Sequence, residues 1–218
     1  MRLYGVAGKK QCGKNTLCDF ASELLYPQNI IATNLALADP LKQFCLDYLG
    51  VSRKNLSGSD FEKNQWVNTW KMFTKDIRDK WQKNEQDNIS AREVMQVVGT
   101  EIFRHSFGED FWTNLLYLRI QKIKKSNDNT VIFVTDVRFP NEIEAIKKWG
   151  GKVIKIYRNI KREETITHDS EMSLDNISDE EYDYVIQGGS NRSMKQLKDA
   201  TFKILYNEGF FQGGYLVS

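Results

Sequence analysis

The segment Gly8-Lys9-Lys10-Gln11-Cys12-Gly13-Lys14-Asn15-Thr16 has the spacing of a phosphate-binding P-loop: glycine, four residues, glycine, lysine. Gly8 and Gly13 accept backbone angles that a Cβ would penalise, so successive amide N–H groups can turn toward one anion. A helix opening near Lys14 adds its dipole and its unpaired N–H groups. In such a loop Gly8, Lys9, Gly13, Lys14, Asn15 and Thr16 line a nucleoside triphosphate, and Lys14 reaches its β- and γ-phosphates. The strict motif places Ser or Thr directly after the lysine as a Mg²⁺ ligand; here Asn15 stands there and Thr16 follows. The bland alternative is a lysine-rich surface loop.

Two elements must position that loop. The apolar run Leu3-Tyr4-Gly5-Val6-Ala7 reads as a strand before it, and Leu17, Phe20, Ala21, Leu24 and Leu25 mark an amphipathic helix after it. A second strand over 30–37 leads into Ala38-Asp39-Pro40. There Asp39 either caps a helix with proline at its first position or faces a ligand crevice at the strand's end. Ser90-Ala91-Arg92-Glu93 is a capping box, opening a helix with two rows. Val94, Val98 and Ile102 should face a core, while Arg92, Gln96, Thr100 and Arg104 suit an anionic ligand or a solvated face. Gly99 inside this helix is locally costly and implies a close approach. Asp110-Phe111-Trp112 begins another helix.

The buried-strand run Val131-Ile132-Phe133-Val134 ends in Thr135-Asp136-Val137-Arg138. An acidic residue at that place can hold Mg²⁺ directly or through water, and Arg138 can reach the same crevice. Pro140 starts a helix that Gly150-Gly151 closes, followed by a strand over 153–157. Residues 158–182, with Arg158, Lys161 and Arg162, read as a lid over phosphates or as a plain surface loop. His168 there is better suited to fixing the loop than to proton transfer. A fifth strand over 184–186 precedes Gly188-Gly189-Ser190 and a final helix.

Composition narrows the remaining classes. The chain has 218 residues, 40% hydrophobic and 28% charged, as in an ordinary soluble domain large enough for a substantial core. With 31 basic against 29 acidic residues, the net charge of +2 gives no field that asks for nucleic acid or an anionic membrane. Within 61–88, where Phe61, Trp66, Trp70, Phe73 and Trp81 mix with lysines, acidic and basic residues nearly balance. That stretch reads as a helical insertion whose aromatics pack on the body. Cys12, Cys18 and Cys45 lack metal-ligand spacing and fit a reducing cytosol, with Cys12 a small filler of the loop. No run approaches the roughly 18 apolar residues of a membrane span, and the N-terminus enters a strand without a signal peptide.

Five short strands alternating with helices predict an α/β, three-layer P-loop NTPase fold with a five-stranded parallel sheet, a helical insertion and a lid. The order of the P-loop, Ala38-Asp39-Pro40-Leu41-Lys42, Gln96-Val97-Val98-Gly99-Thr100-Glu101, Asp110-Phe111-Trp112, Asp136-Val137-Arg138 and His168-Asp169-Ser170-Glu171 resembles the deoxynucleoside monophosphate kinases of tailed phages. That family usually has Asp where Asn15 stands, and a neutral amide oxygen is the weaker ligand for a hard cation.

The resemblance implies transfer of the ATP γ-phosphoryl group to a deoxynucleoside monophosphate, giving a diphosphate and ADP. It implies one domain over 1–218, with 38–128 as the acceptor-binding insertion and 158–182 as the lid. Lys14 and the loop amides would hold ATP, and Thr16 with Asp136 the Mg²⁺ environment. Arg104 and Arg138 would hold the acceptor phosphate, with Asp39, Asp136, Arg92 and Gln96 as further acceptor-side groups and Trp112 stacked on the base. Arg158 and Arg162 would neutralise transition-state charge, and Gly189 and Ser190 would contact adenine. A cytoplasmic location (host cytoplasm for a viral gene) and a homodimer are compatible with it. Phosphomevalonate or dephospho-coenzyme A kinases, and a non-kinase P-loop ATPase or switch, remain as alternatives.

Overall fold

The alternation of short apolar runs with amphipathic helices builds one parallel sheet. Its strands are β1 (Arg2–Ala7), β2 (Ile31–Leu35), β5 (Thr130–Val137), β6 (Lys152–Arg158) and β7 (Tyr184–Gly188), in the order β2-β5-β1-β6-β7. Every neighbouring pair is parallel. The computed structural model describes residues 2–9, 12–127, 129–158, 177–188 and 193–211, with Arg158 described by its backbone alone. The central place of β1 sets the loop that follows it at the middle of the sheet's C-terminal edge, where open α/β sheets bind ligands.

Both faces of the sheet are covered. Tyr4, Val6, Phe133, Ile154 and Ile156 pack against Leu17, Ala21 and Leu25 of α1 (Lys14–Leu25) and Leu197, Ile204 and Leu205 of α10 (Met194–Asn207). On the opposite face, α9 (Pro140–Lys148) crosses so close to β1 that a Cβ on Gly5 would lie 2.6 Å from Ile146 Cδ1. Gly150, at φ 78°, then closes α9, and the Gly151 N–H donates to the Ile146 carbonyl. Three layers of this kind are the expected P-loop architecture. Among the described residues, no helix is long and apolar enough to cross a membrane.

The chain divides into two compact units, one formed by Met1–Leu37 with Tyr117–Ser218 and the other by Ala38–Leu116. The second contains α2 (Asp39–Tyr48), α3 (Arg53–Ser57), α4 (Asp60–Lys63), β3 (Trp66–Thr69), α5 (Lys75–Lys80), β4 (Asn88–Ser90), α6 (Ala91–Gln96), a π-helix over Val97–Arg104 and α7 (His105–Phe107). The boundary back to the first unit falls inside α8 (Phe111–Ser126).

Three details here differ from the sequence reading. Trp70, Phe73 and Trp81 do not merely pad another body. They sit in a core of the second unit's own, with Cys45, Leu56, Ile89, Val94 and Val98. The stretch also contains an antiparallel ribbon, β3 with β4, that short polar-flanked runs did not announce. Phe61 and Trp66 stay 74% and 64% exposed. The N-cap of α2 falls on Ala38, so Asp39 lies in the first helical turn rather than at the cap.

Candidate functional site

At the end of β1 the backbone turns through Gly8 at φ 152° and enters α1 through Gly13 at φ 105°. A Cβ on Gly8 would collide with the Ile156 carbonyl oxygen of the adjacent strand and approach Cys12 Sγ to 2.7 Å. Only glycine fits there. Lys14, the first residue of α1, folds its ammonium over the loop and donates to the carbonyls of Gly8 (2.6 Å) and Lys9 (2.7 Å). Its Nζ also lies 3.9 Å from Cys12 Sγ, and Cys12 is buried as loop filler. Asn15 is exposed and Thr16 half-buried.

The neighbouring strand brings an acid to the same edge. Pairing runs Gly5 with Val134 and, after a register shift, Ala7 with Val137, so Asp136 stands beside the last residues of β1. Its Oδ1 accepts the Leu37 N–H at 2.7 Å, tying the tip of β5 to the exit of β2. Thr16 and Asp136 therefore offer hard oxygen donors at one end of one sheet, the chemistry Mg²⁺ prefers. Among the described residues no cluster of three or more His, Cys, Asp or Glu side chains could hold a metal alone.

Arg138 follows two residues later. The N–H groups of Arg138 and Phe139 both donate to Glu142 Oε2, at 2.7 and 3.1 Å. Glu142 is only 5% exposed. It was missed in the sequence, although Pro140 at a helix start places a residue two further on where a carboxylate can reach back to the preceding amides.

The second unit holds the other group. The Ser90–Glu93 capping box forms, with the Glu93 N–H donating to Ser90 Oγ and the Ser90 N–H to Glu93 Oε2. Arg92 donates to Asp60 Oδ1 (2.7 Å) and Asn64 Oδ1 (3.0 Å), so it braces the α4 region. Gln96 and Arg104 are half-buried, and Arg104 Nη1 lies 3.8 Å from Glu109. Asp39 is also half-buried, on α2, which packs against α6. The close approach at Gly99 is made by Leu41, whose Cδ2 lies 2.9 Å from where a Cβ would be.

Trp112 needs correcting. It is 6% exposed, and its indole N–H donates to the Gly99 carbonyl at 3.0 Å. Phe103 and Phe111 flank it, so it is a core residue rather than a base-stacking platform. Arg162, His168, Gly189, Ser190 and most of the 158–182 lid lie outside the described residues, and Arg158 ends β6.

Comparisons with known proteins bear on this arrangement. The family profile described as deoxynucleotide monophosphate kinase matches residues 54–200. That span excludes the P-loop, so the loop and the family match are separate observations. A protein of Acanthamoeba polyphaga mimivirus that carries the deoxynucleotide monophosphate kinase name is 30% identical over 194 residues, covering 85% of this chain and 88% of its own length. The deoxynucleotide monophosphate kinase of Enterobacteria phage T4 is 24% identical over 204 residues, covering 72% of this chain and 82% of its own. The deoxynucleoside-5'-monophosphate kinase of Escherichia phage T5 is 26% identical over 185 residues, covering 67% and 72%.

Proposed function

The chain belongs to the deoxynucleotide monophosphate kinase family, and from that premise we propose how its residues divide the work of moving the γ-phosphoryl group of ATP to a deoxynucleoside monophosphate. With the family established, the coenzyme-precursor kinase and ATPase-switch readings lapse.

The observation that carries the donor half is the Lys14 ammonium seated on the Gly8 and Lys9 carbonyls at the mouth of a glycine-bracketed loop. A cation seated on neutral carbonyls can exchange them for phosphate oxygens, which bind it more strongly. Lys14 and the loop amides, including those of Lys9, Gly13, Asn15 and Thr16, then cradle the triphosphate at the start of α1. The Thr16 hydroxyl and the Asp136 carboxylate would hold Mg²⁺, which would supply neutralisation of the charge that develops on the phosphates. The Leu37 N–H on Asp136 Oδ1 fixes the carboxylate's direction.

Phosphoryl transfer needs little covalent help from the protein; placement and charge neutralisation supply the rate. Arg138 grips the acceptor phosphate with its planar fork. The Ala38–Leu116 unit is the acceptor-binding insertion, and within it Arg104 is the second phosphate ligand, with Gln96 and Asp39 as polar contacts to the nucleoside. Arg92 contributes by bracing this unit through Asp60 and Asn64. Arg158 and Arg162 neutralise transition-state charge, and Gly189 and Ser190 contact adenine.

The test is ADP release with ATP–Mg²⁺ across the common deoxy- and ribonucleoside monophosphates, for the parent protein and Lys14→Ala. At least one deoxynucleotide should be phosphorylated, and Lys14→Ala should lose about a hundredfold or more in turnover while melting like the parent. Undiminished turnover in that variant would refute the donor assignment.

A further inference from the structure

The eight-residue π-helix over Val97–Arg104 is unusual, because π geometry mostly occurs as single-turn bulges and often at functional sites. In an α-helix, residues four apart advance about 40° per step, so a row from Arg92 to Arg104 would wind through about 120°. A π-helix bonds i to i+5 and holds more residues per turn, which removes much of that advance beyond Gln96. The His105 N–H accordingly bonds to the Thr100 carbonyl. Burial agrees with the changed phase: Val97, Val98 and Gly99 are buried consecutively, while Gln96, Thr100 and Arg104 are not.

Three contacts surround this stretch. The Trp112 indole donates to the Gly99 carbonyl, which in the i-to-i+5 pattern is also the partner of the Arg104 amide. The Leu41 side chain fills the space a Cβ would take on Gly99. The Phe103 ring is held among Phe44, Phe107, Phe111 and Trp112.

We infer that Trp112 is a positioning residue for the acceptor site, holding residues 97–104 in π form through the Gly99 carbonyl so that Arg104 lines up with Gln96 toward the acceptor nucleotide. This rests on the reading of Arg104 as an acceptor-phosphate ligand. In α form Arg104 would swing away from Gln96 around the axis, although nothing in its own side chain had changed. Gly99 serves the same device, because a side chain there would press on Leu41.

The experiment is a double-mutant cycle with Trp112→Phe and Arg104→Ala, reading KM for the accepted deoxynucleoside monophosphate and for ATP at temperatures where each variant is folded. Trp112→Phe keeps a ring among Phe103 and Phe111 but loses the N–H. It should raise the acceptor KM about tenfold and leave the ATP KM unchanged. In the Arg104→Ala background it should add nothing, since coupled residues are non-additive. Equal effects in both backgrounds, a matching rise in the ATP KM, or no rise at all would overturn the inference. If Arg104→Ala alone leaves the acceptor KM unmoved, the Arg104 assignment fails as well. If Arg104→Ala raises it and Trp112→Phe does not, only the positioning role fails. Gly99→Ala provides a second route should Trp112→Phe not fold. It should raise the acceptor KM, and adding Leu41→Val, which removes the crowding methyl, should restore it; an unchanged KM in Gly99→Ala would count against the device.

Discussion

Glu142 offers the sharpest link between local structure and catalysis. Its Oε2 accepts the N–H groups of Arg138 and Phe139, and the side chain is 5% exposed. Glu142→Ala removes the acceptor of two part-buried amides beside the strand tip that carries Asp136 and Arg138. Hydrogen bonds to a charged group are worth about 1.5–3 kcal/mol each, and some relaxation is available near the helix start, so a loss of about 3 kcal/mol is expected. For a chain of this size that lowers the melting temperature by about 6–12 °C. Glu142→Gln is the informative companion, because both amides point at one oxygen and a carboxamide can place its carbonyl there. It should cost about 1 kcal/mol, or about 2–4 °C. Calorimetry gives the stability and steady-state kinetics the function. Glu142→Ala should raise the acceptor KM about tenfold because Arg138 loses its fixed direction, with Glu142→Gln close to the parent. A Glu142→Ala protein melting within about 2 °C of the parent would refute the energetic reasoning. A destabilised variant with an unchanged acceptor KM would show that Arg138 is aimed by something else.

Two further expectations follow from buried titrating groups. Burial works to raise the pKa of Glu208, but hydrogen bonds from Lys152 (2.7 Å), Tyr184 and Tyr4 (3.0 Å) outweigh it and hold the carboxyl below its ordinary value. A depressed folded-state pKa contributes stability above the unfolded value and loses it as pH falls through the folded one. Melting temperature should therefore drop below about pH 4.5, and Glu208→Gln should flatten that limb; an unaltered acid limb would remove Glu208 as its cause. Burial also pushes the Cys18 thiol up to about 12, with Asp19 adding to it, and burial alone pushes Cys45 up to about 11. In native protein at about pH 8 neither should react with a thiol reagent until urea unfolds the chain. Rapid native labelling mapped to either position would contradict this.

The parts that sequence could reveal are those set by local rules. Gly8 and Gly13 needed positive φ, the Ser90–Glu93 box needed two reciprocal bonds, and β1 and β5 needed continuous apolar runs; each is legible within a few residues. Asp136 stood out because it follows such a run, and the register sets it beside the last residues of β1. What escaped depends on partners distant in the chain. Trp112 has the surface chemistry of a base-stacking residue, yet its burial and its bond to Gly99 are tertiary facts. The β3–β4 ribbon joins four residues to three across a gap of eighteen, too short for an alternation pattern to declare itself. The π-helix is the plainest case. The residue types of 97–104 allow α geometry, and the α-helical count of four made the polar row seem to drift. The sequence did hold one clue, a glycine set in the middle of a helix that had every other reason to exclude it. Read with Leu41 packed where its side chain would be and Trp112 on its carbonyl, Gly99 sits inside the stretch where the helix has changed its pitch, and the Arg104 assignment depends on that change.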